Sequence, residues 1–169
     1  MAGPRWINQP FDALGVRGLY RALRLRAEVF VIEQRCLYLD PDGLDEHAWH
    51  LQGLGQGLGQ GLGQGVGQGV GGAEELFAYA RLLPPEIGGG AARIGRVITA
   101  PTARGGGLGR ALMSQAVREC QKLWPGQPIE LGAQAHLREF YGSFGFTPIS
   151  DVYDEDGIPH IDMRKEATP

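Results

Sequence analysis

Arg104-Gly105-Gly106-Gly107-Leu108-Gly109 decides the reading of this chain. The stretch follows an extended apolar segment, Arg93 to Pro101, and opens a regularly patterned helix from Leu108 to about Leu123. Strand, glycine-rich turn and helix in that order gather free backbone N–H groups at a helix N-terminus, where the macrodipole also favours negative charge. Glycines let the main chain approach an anion closely, so the turn is a seat for phosphate, with Arg104 as a cation at its entrance. The pyrophosphate of a nucleotide-like cofactor is the expected ligand. The Lys-Ser/Thr ending of a P-loop is missing, and Arg110 stands where the third glycine of a dinucleotide fingerprint would be. The competing reading is a plain turn whose glycines serve only positive φ or tight packing. The segments on either side weigh against it.

Downstream, Leu108, Leu112, Ala116, Cys120 and Leu123 form an apolar stripe at helical spacing, widened by Ala111 and Val117. Trp124-Pro125-Gly126 stops that helix, and Pro128 to Ala133 is a short strand. A crossover helix places this strand parallel to the Arg93 strand. A second helix, Ala135 to Phe144, carries Leu137, Phe140, Tyr141 and Phe144 and ends at Gly145. The tail from Phe146 to Met163 reads as two strands joined by Asp154 to His160. Upstream, Glu75 to Leu83 is a strand stopped by Pro84-Pro85, and Gly88-Gly89-Gly90 turns the chain into the Arg93 strand. With His47 to Leu51 these make an antiparallel meander of three strands. Arg5 to Pro10 is a short first strand. Asp12 is placed to cap the helix that follows, whose apolar face is Leu19, Leu23, Ala27 and Phe30, with Arg17, Arg21, Arg24 and Glu28 largely opposite.

The acidic run around Asp40-Pro41-Asp42-Gly43 reads as a solvated loop or turn caps, with a minority of its acids facing a cationic substrate, since a calcium loop's order and closing glutamate are missing. His47 and His50 read as hydrogen-bonding surface groups on a strand, and no metal site is expected. From Gly53 to Gly72 the chain repeats Leu/Val-Gly-Gln-Gly, a low-complexity insertion in a strand-to-strand connection. The insertion is expected to be mobile or a loosely paired hairpin extension with no chemistry of its own; the alternative is a self-association element, hence a homodimer, because regular apolar spacing on a bare strand edge invites pairing. The 169 residues are read as a single domain, residues 1–169, with that insertion at 53–72. A net charge of −3 speaks against a general nucleic-acid binder. No apolar stretch approaches the roughly 20 residues of a membrane span. Cys36 and Cys120, far apart, read as reduced thiols of a cytoplasmic protein.

A three-strand meander, Arg-x-x-Gly-x-Gly, a helix, a strand, then Ala135-x-x-x-x-Phe140-Tyr141-x-x-x-Gly145-Phe146 resembles the GNAT family of acetyl-CoA-dependent N-acetyltransferases. Glu28 to Gln34, Gly132 to Leu137 and Glu155 to His160 resemble its ElaA-like branch. The resemblance implies an α/β fold with a mixed, mostly antiparallel sheet flanked by helices, and acetyl-CoA as cofactor. It implies that Arg104, Gly105, Gly106, Gly107, Leu108 and Gly109 offer N–H groups to the coenzyme A pyrophosphate. Val97 and Ile98 would pair their main chain with the pantetheine arm, and an N–H there would hold the thioester oxygen. Tyr141 would be the general acid that protonates the departing thiolate. Its competing reading is a core aromatic beside Phe140 and Phe144.

Gln134 stands where many members carry an Asn that contacts the coenzyme, and Arg96 and Thr99 replace the strand glutamate that some members use as base. An attacking amine has a reference pKa near about 10.4 and must lose a proton. Glu33, Asp45, Glu155 and His160 are the candidate acceptors of that proton, Glu33 and His160 foremost. The implied reaction is direct attack of a primary amine, from a small molecule or a peptide, on acetyl-CoA in a ternary complex. The alternative is a catalytically weak acyl-CoA-binding or interaction protein on the same fold.

Overall fold

A computed structural model describes residues 3–56 and 74–167. The chain forms β1 (Arg5–Pro10), α1 (Phe11–Arg26), a π-helical turn (Ala27–Glu33), β2 (Trp49–Gln56), β3 (Glu74–Leu83), the single turn α2 (Pro85–Gly88) and β4 (Ala92–Thr99). It continues through α3 (Leu108–Leu123), β5 (Ile129–Gln134), α4 (Arg138–Gly142), β6 (Thr147–Pro148), β7 (Tyr153–Glu155) and β8 (Ile158–Lys165). The strands join one sheet in the order β1-β2-β3-β4-β5-β8-β6, with β7 also on β8. Every pairing is antiparallel except β4 with β5, the pair that α3 connects. The mixed, mostly antiparallel sheet and the parallel crossover are as expected.

Each face of the sheet buries one layer. Leu112, Met113, Ala116 and Cys120 of α3 pack on Ala78, Ala80 and Leu82 of β3 and on Leu131 of β5. Met113 is buried where Ala111 was expected; Ala111 is exposed. Ala22, Leu25 and Val29 cover the opposite face against Tyr79, Leu54 and Ile98. Each large apolar side chain buried this way contributes about 1.5–3 kcal/mol.

The first helix departs from its expected face. It kinks at Gly15 (φ 64°, ψ 167°), and Pro10, not Asp12, holds the capping position. The buried residues are Leu14, Ala22, Leu25 and Arg26, so Leu19, Leu23 and Ala27 are not the core stripe. An inward arginine breaks the apolar periodicity. The second of the expected long helices is a 3-10 turn, Ala135–Leu137, followed by α4. Three strands, not two, make up the tail.

Two further corrections concern the meander. Its first strand starts at Trp49 and runs to Gln56, so the first four residues of the Gly/Gln tract belong to the sheet. There Gly55 lies under the Phe77 ring, where a Cβ would come within 2.6 Å of Phe77 Cε2. Residues 57–72 of the tract lie outside the described residues. His50 is fully buried, not a surface group: Nδ1 is 2.8 Å from the Tyr79 hydroxyl and Nε2 3.0 Å from the Asp45 carbonyl.

Candidate active site

Parallel pairing of β4 with β5 is short, Ala92 with Ile129 and Arg93 with Glu130. Beyond it the strands part. The cause is on the other edge of β4, where the ladder with β3 runs Leu82–Ile94 and Arg81–Gly95, then resumes at Tyr79–Ile98. Arg96 and Val97 thus stand opposite the single residue Ala80, a bulge that bends the strand. The parting opens a cleft of about 550 Å³. Val97, Gln134, Tyr141 and His160 line it.

Tyr141, on α4, is 7% exposed and packs edge-on against Phe140 and Phe146, with ring centroids 5.1 and 6.4 Å away. The core-aromatic reading holds for the ring, and the same residue lines the cleft. Burial pushes the phenol up to about 12, so it carries its proton throughout the neutral range. His160, on β8, sets its Nδ1 2.8 Å from the Ile158 carbonyl. A carbonyl only accepts, so Nδ1 bears a hydrogen, and in the neutral ring Nε2 is the nitrogen with the lone pair. The Glu155 carboxylate lies 3.7 Å from Nε2, placed to stabilise an imidazolium. Gln134 donates to Gln34 Oε1 at 3.2 Å, tying β5 to the segment after the π-helical turn.

The anion loop lies after β4, outside the cleft's lining. Gly105 (φ 95°) and Gly107 (φ 78°) adopt the left-handed conformation, and Gly107 caps α3. Among the described residues no side chain caps this helix, and its first turn holds no acidic residue. A Cβ built at Gly105, Gly106 or Gly107 would meet nothing within 4 Å. Tight internal packing is therefore not what the glycines serve. The uncapped amides and the open front fit the diphosphate of coenzyme A. Gly106 has no positive φ, which separates ligand approach from backbone strain. Gly106→Ala is expected to leave the thermal midpoint unchanged while raising the acetyl-CoA concentration for half-saturation about tenfold, read by titration; an unchanged titration would return the loop to a plain turn.

Glu33 is not in the cleft. Its carboxylate takes both terminal nitrogens of Arg104, at 2.7 and 2.9 Å, and Arg104 also reaches the Thr99 carbonyl at 3.2 Å. The two residues expected to act at opposite ends of the reaction thus pair with each other. Ile98 is likewise turned away, its side chain buried in the core beneath α1, so that only its main chain can serve a ligand. Asp45 is no base either. With Asp40 it belongs to a buried ion network where a solvated loop was expected, while Asp42, at the exposed edge of that network, also caps the turn by accepting from the Leu44 N–H at 3.0 Å. Arg26 binds Asp40 (2.8 Å) and Asp45 (2.7 Å), Arg81 binds Asp42 (2.7 Å) and Asp45 (3.0 Å), and Arg96 binds Asp40 (2.7 Å).

Acid should weaken this network. Burial alone would raise Asp42 and Asp45, yet hydrogen bonds from Arg81 and Arg26 respectively, with their charges, hold both below the usual carboxylate range. Burial lowers His50, against the pull of the Asp45 carbonyl. Each of these groups binds fewer protons folded than unfolded, so each contribution is present above its unfolded pKa and lost as pH falls through the folded one. The thermal midpoint is expected to decline first below about pH 6.5, where an unfolded histidine charges, and more steeply below about pH 4. His50→Gln should flatten the first decline; a midpoint independent of pH between 7 and 4 would contradict the assignment.

Sequence reasoning passed over several lining residues, Cys36 and Tyr38 after the π-helical turn and Tyr153 on β7, and gave Arg96 at the bulge no role beyond replacing a glutamate. Tyr153 donates to Asp162 (2.9 Å) and stacks on His160, with ring centroids 6.2 Å apart. None carries a local signal, because the fold alone brings them to one cleft.

A parallel β4–β5 pair that splays beside a phenol, with an uncapped glycine turn at the start of α3, defines an acyltransferase of the GNAT class. The chain belongs to that family: residues 72–167 match the model described as acetyltransferase (GNAT) domain. Across 161 residues it is 42% identical to Protein ElaA of Escherichia coli strain K12, covering 95% of each chain. The crystal structure of Escherichia coli ElaA superposes with a TM-score of 0.80 at 41% identity, covering 96% of this chain and 99% of that one. An acyl-CoA N-acyltransferase from Pseudomonas aeruginosa gives 0.81 at 40%, with the same coverage. Among the described residues no helix is long and apolar enough to cross a membrane.

Proposed function

We propose that this GNAT acyltransferase moves the acetyl group of acetyl-CoA to a primary amine by direct attack within a ternary complex. The observation that carries the reading is Tyr141, a buried, protonated tyrosine that lines the cleft where β4 and β5 part. Loop 104–109 holds the diphosphate end of the donor, and the main chain of Val97 and Ile98 lies along the pantetheine arm. The amine enters from the side of Tyr38, Tyr153 and Glu155 and loses its proton to His160 Nε2, directly or through water, with Glu155 stabilising the imidazolium. Tyr141 then returns a proton to the leaving sulfur. Burial raises the phenol, but the same burial penalises a thiolate beside it, so the shift does not oppose the transfer. Holding both reactants in one cleft supplies much of the rate. The two buried, unpaired thiols, Cys36 and Cys120, suit a reducing cytoplasm.

Two measurements test the reading. Acetyl-CoA should raise the thermal midpoint of the purified protein. Thiol release should then depend on an added amine, drawn from a panel of small amines and peptides. Stabilisation without thiol release from any amine would leave an acyl-CoA-binding protein; no stabilisation would end the proposal.

A further inference from the structure

Arg96 is out of place by both sequence and conformation. It sits in the left-handed region (φ 53°) inside a strand, where a long side chain rarely goes and glycine is the usual occupant of such a bulge. Conformations of this kind persist when surrounding contacts over-determine them. Here the contacts are explicit. Nε donates to Asp40 Oδ1 at 2.7 Å, and Nη2 donates to the Asp40 carbonyl at 3.1 Å and to Asp42 Oδ2 at 3.3 Å. The guanidinium also lies over the Tyr38 ring (5.4 Å) and the Phe30 ring (5.9 Å).

These partners all come from one wall of the cleft. Phe30, Tyr38 and Asp42 line it on the side of the π-helical turn and the loop that follows, and Val97, the next residue in β4, lines it on the other. Asp40 is itself fixed from behind by Arg26. One side chain therefore spans from the bend in β4 to the wall facing it.

Resting on the acetyltransferase reading, we infer that Arg96 is a positioning residue: it sets the β4 bulge that presents the Val97 main chain to the thioester, and locks that bulge to the Tyr38–Asp42 wall where the acceptor enters. Although it lines the cleft, this role requires no bond from it to either reactant. It acts by making the donor half and the acceptor half of the cleft move as one body.

Arg96→Gly is the informative change, because glycine accepts the same φ while the anchor is removed. With acetyl-CoA and the best amine of the panel, kcat should fall tenfold or more while KM for acetyl-CoA changes less than threefold. Arg96→Lys, which keeps one charge-assisted bond but not the planar fork, should recover part of the loss. Hydrogen exchange without any ligand should quicken in Arg96→Gly at residues 38–42 and 95–98 and stay unchanged in α3. A kcat within twofold of wild type, unchanged exchange at 38–42, or faster exchange spread through α3 would each overturn the inference. A wild type that consumes no thioester would instead remove the reading beneath it, so the two failures are distinguishable.

Discussion

Tyr141→Phe is expected to slow amine-dependent thioester consumption by about 10²- to 10⁴-fold, the range a positioned proton donor contributes. The substitution removes one oxygen and leaves the ring between Phe140 and Phe146. Burial raises the phenol, and among the described residues no protein group hydrogen-bonds its hydroxyl, so the folded state loses little when the hydroxyl goes. Acetyl-CoA binding, read by thermal stabilisation, should therefore stay within a few-fold of wild type while thiol release collapses. Equal turnover by the two proteins would assign the proton to another group. A variant that neither binds nor turns over would show only that the aromatic cluster had been disturbed.

A second large effect belongs to stability. Arg26 is 1% exposed and holds Asp40 and Asp45 through three hydrogen bonds of 2.7–2.9 Å. Arg26→Met keeps much of the volume but leaves two buried carboxylates with part of their compensation gone, a loss of about 3–5 kcal/mol. For a chain of this size that corresponds to a fall of roughly 10 °C in the thermal midpoint. Arg24, two residues earlier, is the natural control. It forms a 2.9 Å pair with Glu28, but both side chains are largely exposed, and such an i,i+4 pair contributes at most about 0.5 kcal/mol. Thermal denaturation of the two variants side by side checks the argument. Equal shifts would mean that the buried network does not hold α1 to the sheet.

How much of this was legible depended on distance along the chain. The anion turn, α3, the meander and the parallel return of β5 follow from glycine chemistry and from periods of 3.6 and 2. Tyr141 could be named because its spacing after the turn and strand matches a family pattern. The acidic loop was legible only in part: Asp42 is exposed and caps the turn at Leu44, but the charge partners of the loop could not be read. Asp40 finds Arg26 across 14 residues, Asp42 finds Arg81 across 39, and Asp40 finds Arg96 across 56. Seen locally, three aspartates near a proline and a glycine look solvated. Glu33 was misplaced for the same reason, since its partner Arg104 lies 71 residues away.

The order of elements and the glycine turn before α3 are therefore properties of the sequence itself. Helix and strand patterns and a glycine's φ are settled among neighbours within about four residues. Which charges are buried, where β4 bends, and which side chains share the cleft were decided only by tertiary structure. Burial and charge pairing depend on what stands opposite a residue in space, and no local pattern in Arg26, Asp40 or Arg96 says what that will be.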